Sequence, residues 1–337
     1  MLPSLYSAIS GLKANQKKLD VIGNNIANSS TTGFKSQTVK FKDMLSQGVG
    51  EASGAAATTG GINPKQIGLG VQIGAIDTNT KTGDMQSTGS NLDAAIDGNG
   101  YFMVGKGLVP QTNGDGVAID TTNHVITDSK GMNIMYSKDG SFTLDNKGNL
   151  LTSDGNRILG YALTASGGSN SIEYTGGVPT INYVNPDDAS FAAGNTLVPL
   201  VIPDAVKDSS GNELRVKSFT IEKNGLIKAV LDGGSVTALG QIAVASFKND
   251  AGLTKLGNNL YRNSANSGDA VIRSGAGSTS DNGNGYGDVL QGMLEMSNVD
   301  LAEQFTDMIV ASRAFQANGK IITTGDEILQ ELVNLKR

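Results

Sequence analysis

The chain contains no cysteine, no tryptophan and a single histidine, His124. Without cysteine there are no disulfides and no thiolate metal sites, and the redox compartment leaves no mark on the sequence. His124 stands in TTNHVITD, between turn signals, the setting of an ordinary surface residue, and one histidine without cysteine argues against a catalytic triad or a zinc centre. Aromatics make up 5% and charged residues 17% of the 337 residues, both low for a globular chain. Asp93 and Asp97 flank an apolar strand in the manner of a glycosidase carboxylate pair, but no aromatic platform accompanies them, so they read as turn residues. No cofactor and no metal are expected. A formal net charge of -6 offers no basic surface for phosphate contacts, so nucleic acid is not an expected partner. No apolar run approaches the roughly 18 residues that cross a bilayer, and the longest, residues 197–202, is interrupted by Pro199, so no membrane span is expected. Lys13, Lys17 and Lys18 follow the N-terminal apolar residues rather than precede them, which is not the order of a signal peptide. Export, if it occurs, is expected to proceed without a cleaved leader.

Glycine is abundant instead, at 45 residues, close to twice its usual share of about 7%. The two ends carry helical patterns. Leu2, Leu5, Ile9, Leu12, Leu19 and Ile26 recur at alternating spacings of three and four, with Gln16 and Gly23 at the remaining positions, a narrow coiled-coil-like seam. Pro3 fits the first turn, and the Asn/Ser/Thr cluster before Gly33 marks the stop. Leu301, Phe305, Met308, Phe315, Ile322, Leu329 and Val333 repeat the spacing at the other end, widened by Ile309, Ile321, Ile328, Leu332 and Leu335. Ser297 with Asp300 has the form of a capping box, and Lys336 and Arg337 suit the negative end of the helix dipole. Such narrow stripes are marginal in water. Residues 1–28 and about 298–337 are therefore expected to become ordered only when neighbours cover more than one face.

Between the ends the period changes to two. KSFTIEKNGLIKAVL (residues 217–231) places apolar residues on either side of an Asn224-Gly225 hairpin turn, and GSFTLDNKGNLLTSDGNRILGY (140–161) turns at Lys147-Gly148 and Asp154-Gly155. Residues 48–61 and 263–288 read as loops. GLGVQIG (68–74) lacks a nucleotide loop's glycine spacing and reads as a β-turn, while DNGNGYGD (281–288) lacks the twelfth-position glutamate of a calcium loop. The fold class expected is α+β: mainly antiparallel β outer domains, with N- and C-terminal helices forming a coiled-coil-like inner segment.

Residues 4–47, SLYSAISGLKANQKKLDVIGNNIANSSTTGFKSQTVKFKDMLSQ, resemble the N-terminal signature of bacterial flagellar rod and hook proteins, an asparagine block followed by T-x-GFK. Asn24, Asn25, Asn28, Gly33, Phe34 and Lys35 carry it here. Residues 294–337 resemble the family's C-terminus, and IDGNGYFMV (96–104) with residues 140–161 is similar to its first globular domain. FKDMLSQ (41–47) and ELVNLKR (331–337) favour the hook branch, with the distal rod as the nearer alternative and an extracellular β-rich binding or carbohydrate-active protein as a remote one. The resemblance implies a non-enzymatic subunit, exported by the flagellar type III path, that assembles with copies of itself into a helical tube coupling motor torque to the filament. It also implies the distal rod, hook cap and hook-filament junction proteins as further partners. Four parts are expected: residues 1–30 with 298–337 as a helical inner tube, 31–75 with about 275–297 as a linker, 76–161 with 197–274 as a first β domain, and 162–196 as a small second outer domain. The apolar residues of both helices are assigned to packing between subunits.

Overall fold

A computed structural model of the protein describes residues 3–54, 60–112, 114–164, 170–208, 211–278 and 280–335. The chain forms two compact units from interleaved segments. The first takes Met1–Ser29, Lys35–Asn79 and Val299–Arg337, and the second Ser30–Phe34 and Thr80–Asn298.

In the first unit, helix α1 spans Pro3–Ala27 and helix α2 spans Leu301–Leu335. Asp300 caps α2 directly: its Oδ1 accepts from the Ala302 amide at 2.8 Å and the Glu303 amide at 3.2 Å. These are two of the amides that a helix start leaves unbonded. Ser297 plays no part in that cap, contrary to the capping box expected from spacing, because an aspartate already stands at the N-cap. Leu2, Lys336 and Arg337 lie outside the described residues.

Two antiparallel pairs complete the unit, Gln37–Asp43 with Val71–Thr78 and Ser46–Gly50 with Lys65–Gly68. The strand Ser46–Gly50 takes the first three residues of the loop expected over 48–61 and a bridge joins Ser53 to Ile62; residues 51, 52, 54, 60 and 61 are irregular as expected, and 55–59 lie outside the described residues. Both strands of the second pair are exposed, so no alternation of apolar and polar residues announces them. Residues 68–74, expected as a turn, bend at Gly70 (φ 130°) and then continue as the strand from Val71. A side chain at Gly70 would overlap Ser10 Oγ. Glycine is required there because α1 lies directly on this strand, with the Val71 amide donating to Ser10 Oγ at 3.2 Å.

The second unit is antiparallel β structure. Its main path runs in the order Ala205–Lys207, Glu213–Ile221, Leu226–Leu231, Val236–Ile242, Arg157–Thr164, Tyr101–Gly107, Met132–Ser137, Leu260–Arg262 and Thr254–Gly257. Tyr101–Gly107 is covered on both faces. Phe102 and Val104 enter a core with Ile158, Leu200 and Ile227, while Tyr101 and Met103 enter one with Leu159, Leu197 and Tyr261. A strand buried on both sides needs no polar positions, which accounts for the unbroken YFMV run. The turns at Gly148, Gly155 and Gly225 have φ between 78° and 84° and join paired strands as expected.

From Arg157–Thr164 the chain passes through the hairpin Ile172–Thr175 with Val178–Ile181 and returns as Ala192–Pro199 against its starting strand. Ile172, Tyr174 and Ile181 belong to the same core as Phe102. Residues 263–288 are mostly irregular but packed, with Ser267, Ala270, Ile272 and Ser274 buried and Val271–Ile272 paired to Val244–Ser246.

Candidate functional site

The helices α1 and α2 lie antiparallel. Asn25 bonds Gln304, Lys18 bonds Asp307 at 3.1 Å, Gly11 faces Asn318, and Gly325 faces Leu5. The residues at this contact are only partly those of the expected apolar seam: Leu5, Met308, Phe315 and Ile322 belong to both. Ala8, Gly11, Ala14, Ile22 and Asn25 are the buried positions of α1, and Gln304 and Ala311 those of α2. Positions 8, 11, 15, 18, 22 and 25, and likewise 304, 308, 311, 315, 318, 322 and 325, follow the three-four spacing as faithfully as the expected stripes do. Small and amide side chains hold most of them, so the axes approach closely and the register is fixed by hydrogen bonds.

The Leu/Ile stripe is consequently turned aside. On α1, Leu5, Leu12, Leu19 and Ile26 are half-buried and Ile9 is exposed; on α2, Met308, Phe315 and Ile322 are half-buried, whereas Leu301, Phe305, Leu329 and Val333 are exposed. Ile309, Val310, Ile321, Ile328, Leu332 and Leu335 are exposed as well. Leu5, near the start of α1, meets Gly325, and beyond Gly325 the end of α2 carries Leu332 57% and Leu335 84% exposed. Apolar exposure on that scale is unusual for a monomeric surface.

The segment 24–35 does more than cap α1. The Asn28 amide reaches the carbonyls of Asn24 and Asn25 at 3.2 Å, and the Asn28 side chain donates to Asn24 O at 2.9 Å, which is the capping role. Asn25 is different. Fully buried, it accepts from the Gln37 amide at 3.0 Å, donates to Gln37 O at 2.8 Å and donates to Gln304 Oε1 at 3.0 Å. One side chain thereby ties α1, the first strand and α2 together. Lys35 is buried in the same unit.

Gly33 and Phe34 belong to the second unit. Gly33 is left-handed (φ 65°), and a Cβ there would sit 2.9 Å from the Lys138 carbonyl carbon, so only glycine fits. Its amide donates to Glu295 O at 2.7 Å, and the Gly83 amide donates to Glu295 Oε1 at 2.9 Å. Lys138 Nζ, buried like Glu295, lies 3.6 Å from Glu295 Oε2 and donates to Gly98 O at 2.9 Å. Asn259 holds Thr32 O at 3.0 Å, Asn298 holds Lys81 O at 3.0 Å, and Phe34 lies under Lys255 Nζ at 4.9 Å. Burial lowers the Lys255 pKa and, first among several causes, raises that of Tyr101, whose ring Lys138 overlies at 5.6 Å. Three stretches of chain, 32–34, 81–84 and 295–298, are thus fastened to one another around Glu295. No sequence pattern announced Lys138, Glu295 or Asn259, because their partners, backbone groups and each other, lie far away in the chain.

His124, expected at the surface, is buried at 6% exposure with φ 55°, and its Nε2 lies 3.4 Å from Ser280 Oγ. Its amide donates to Asp120 O in the turn, and its own carbonyl accepts from the Ile272 amide of the strand Val271–Ile272. Asp93 accepts from the Thr88 hydroxyl at 2.5 Å within a turn. Asp281 accepts from Ser274 Oγ and the Gly283 amide, both at 2.7 Å, and these bonds hold its carboxyl below the usual range. Among the described residues, no helix is long and apolar enough to cross a membrane.

Three family descriptions match the regions just described: "Flagella basal body rod protein" over residues 5–35, "Flagellar hook protein FlgE/F/G D1 domain" over 124–229, and "Flagellar basal body rod FlgEFG protein C-terminal" over 290–335. They place helical ends and β interior together in the class of flagellar rod and hook subunits. The relatives agree. The flagellar basal-body rod protein FlgG of Bacillus subtilis is 45% identical over 337 residues, covering all of both chains. The flagellar hook protein FlgE of Borreliella burgdorferi is 32% identical over 448 aligned positions, and the rod protein FlgG of that organism 32% identical over 340, again with full coverage. The chain belongs to the flagellar rod and hook family, structural proteins of the bacterial flagellum.

Proposed function

We propose that this chain is a non-enzymatic axial subunit of the distal-rod kind, which polymerises with copies of itself into a tube through the apolar surfaces of α1 and α2. One observation carries the choice of rod. The rod relative aligns at 45% identity over a length no greater than the chain itself, 337 positions, whereas the hook relative needs 448. The alignment with the rod relative thus has the higher identity and needs no long insertions. FKDMLSQ and ELVNLKR favour the hook, which stands as the second reading.

In this reading the helical pair lines the inside of the tube. The apolar stripe that the small and amide-bearing seam leaves uncovered is buried by neighbouring subunits, and other axial proteins of the flagellum flank the polymer. The seam supports this assignment because it uses few apolar groups for contacts within the chain. Electron microscopy of the purified, concentrated protein tests it. Straight tubes are expected; curved tubes select the hook, and persistent monomers with both ends resistant to protease overturn the axial reading.

A further inference from the structure

Asn-Gly sequences convert spontaneously to aspartate and isoaspartate when the glycine amide can reach the asparagine side chain, since glycine has no Cβ to obstruct the approach. The chain carries such pairs at 99–100, 224–225, 282–283, 284–285 and 318–319, besides 113–114, where Asn113 lies outside the described residues. Their sequences alone do not rank them, but their surroundings do.

Asn224 Oδ1 accepts from the Leu226 amide at 2.9 Å, and the Gly225 amide donates to Glu222 O at 2.8 Å. Asn282 is held at both ends, accepting from the Ser274 amide and donating to Ile272 O at 2.9 Å, while the Gly283 amide is bound to Asp281. Gly100 is buried against Val244, and Asn318-Gly319 lies within α2. Asn284 and Gly285 differ from all of these. Both are exposed, Gly285 has φ 105° with no atom within 4 Å of where a Cβ would stand, and neither the Asn284 side chain nor the Gly285 amide makes a hydrogen bond among the described residues.

We propose that Asn284-Gly285 is a site of spontaneous modification, selected by the fold from the Asn-Gly pairs among the described residues. The Gly285 nitrogen attacks Asn284 Cγ, a carbon–nitrogen bond forms, and the side-chain nitrogen leaves as ammonia to give a cyclic imide. Water then opens the ring at either carbonyl, giving aspartate or isoaspartate. Each product places a carboxylate close in sequence to Asp281 and Asp288, and isoaspartate also lengthens the backbone by one methylene. The inference is independent of the rod or hook assignment.

The test incubates the folded full-length protein in warm, mildly alkaline buffer and follows peptides by mass spectrometry, with isoaspartyl methyltransferase labelling to identify the product. The peptide containing Asn284 is expected to gain the mass of hydroxyl replacing amino, and to do so about tenfold faster than the pairs at 99–100, 224–225, 282–283 and 318–319. That is the factor introduced by one additional hydrogen bond to be broken elsewhere. Asn284→Gln is expected to abolish the signal, and denaturant to bring the pairs to similar rates. Modification of Asn224 or Asn282 at an equal or greater rate in the folded chain overturns the proposal, as does the same ranking in denaturant, since the fold would then select nothing.

Discussion

Asn24, Asn25 and Asn28 stand within two turns of one another, yet only Asn25 is fully buried. Its three hydrogen bonds go to partners that lose them together if the side chain is shortened, and each buried group left unsatisfied costs about 1–3 kcal/mol. Asn25→Ala is therefore expected to cost about 3 kcal/mol or more in denaturant unfolding followed by helical circular dichroism. Asn28→Ala, which loses only a partly exposed capping bond, is expected to cost roughly 1 kcal/mol. Equal losses would show that Asn25 is merely a second cap. Glu295 poses a comparable question in the second unit. Replacing it with glutamine preserves an acceptor for the Gly83 amide but leaves Lys138 charged and buried with no opposite charge at 3.6 Å. Removing one member of such a pair costs on the order of 3–5 kcal/mol. A matching fall in thermal midpoint is expected for E295Q, largely recovered by adding Lys138→Met; a neutral E295Q would show that the ion pair does not hold the chain crossings together.

At the scale of elements, the two helices were legible from their apolar spacing to within about three residues, but the face they use against each other was legible only in part. Counting leucine and isoleucine selects positions 5, 9, 12, 19 and 26, whereas the contacts on α2 are made by Leu5, Gly11, Lys18 and Asn25, of which only Leu5 is in that count. Apolar periodicity locates a helix and identifies one surface that wants covering; it does not say what covers it. The exposed pair Ser46–Gly50 with Lys65–Gly68 was missed for a related reason, since strands with no buried face show no alternation. The buried joint around Glu295 left no local trace, because backbone amides do the recognising. Glycines in these elements yield a test with opposite signs. Gly23 lies in α1 with no atom within 4 Å of where an alanine methyl would stand, so Gly23→Ala is expected to stabilise by about 0.5–1 kcal/mol through helix propensity. Gly70→Ala meets both a left-handed backbone and Ser10, and is expected to destabilise by roughly 2 kcal/mol or more. Unfolding midpoints of the two variants should move in opposite directions, and a common direction would contradict the packing of α1 on the strand from Val71.

For the molecule as a whole, the decisive contrast is between what the chain covers for itself and what it leaves uncovered. Its β unit closes its own core, while the end of α2 beyond Gly325 carries Ile328, Leu329, Leu332 and Val333 exposed. Substituting exposed apolar residues with polar ones ordinarily changes monomer stability by no more than about 0.5 kcal/mol. Removing the same residues from an interface forfeits their burial, roughly 1.5–3 kcal/mol per large side chain, at every copy in the polymer. Leu329→Ser with Val333→Ser is thus expected to leave the unfolding of the soluble chain nearly unchanged and to abolish tube formation at concentrations where the parent assembles, as read by sedimentation and electron microscopy. The two measurements separate the explanations. Unfolding of the soluble chain by this double substitution would mean that the stripe serves the chain's own fold, and unaltered assembly would mean that subunits join through some other surface; only intact monomers that fail to polymerise agree with a stripe reserved for neighbouring copies.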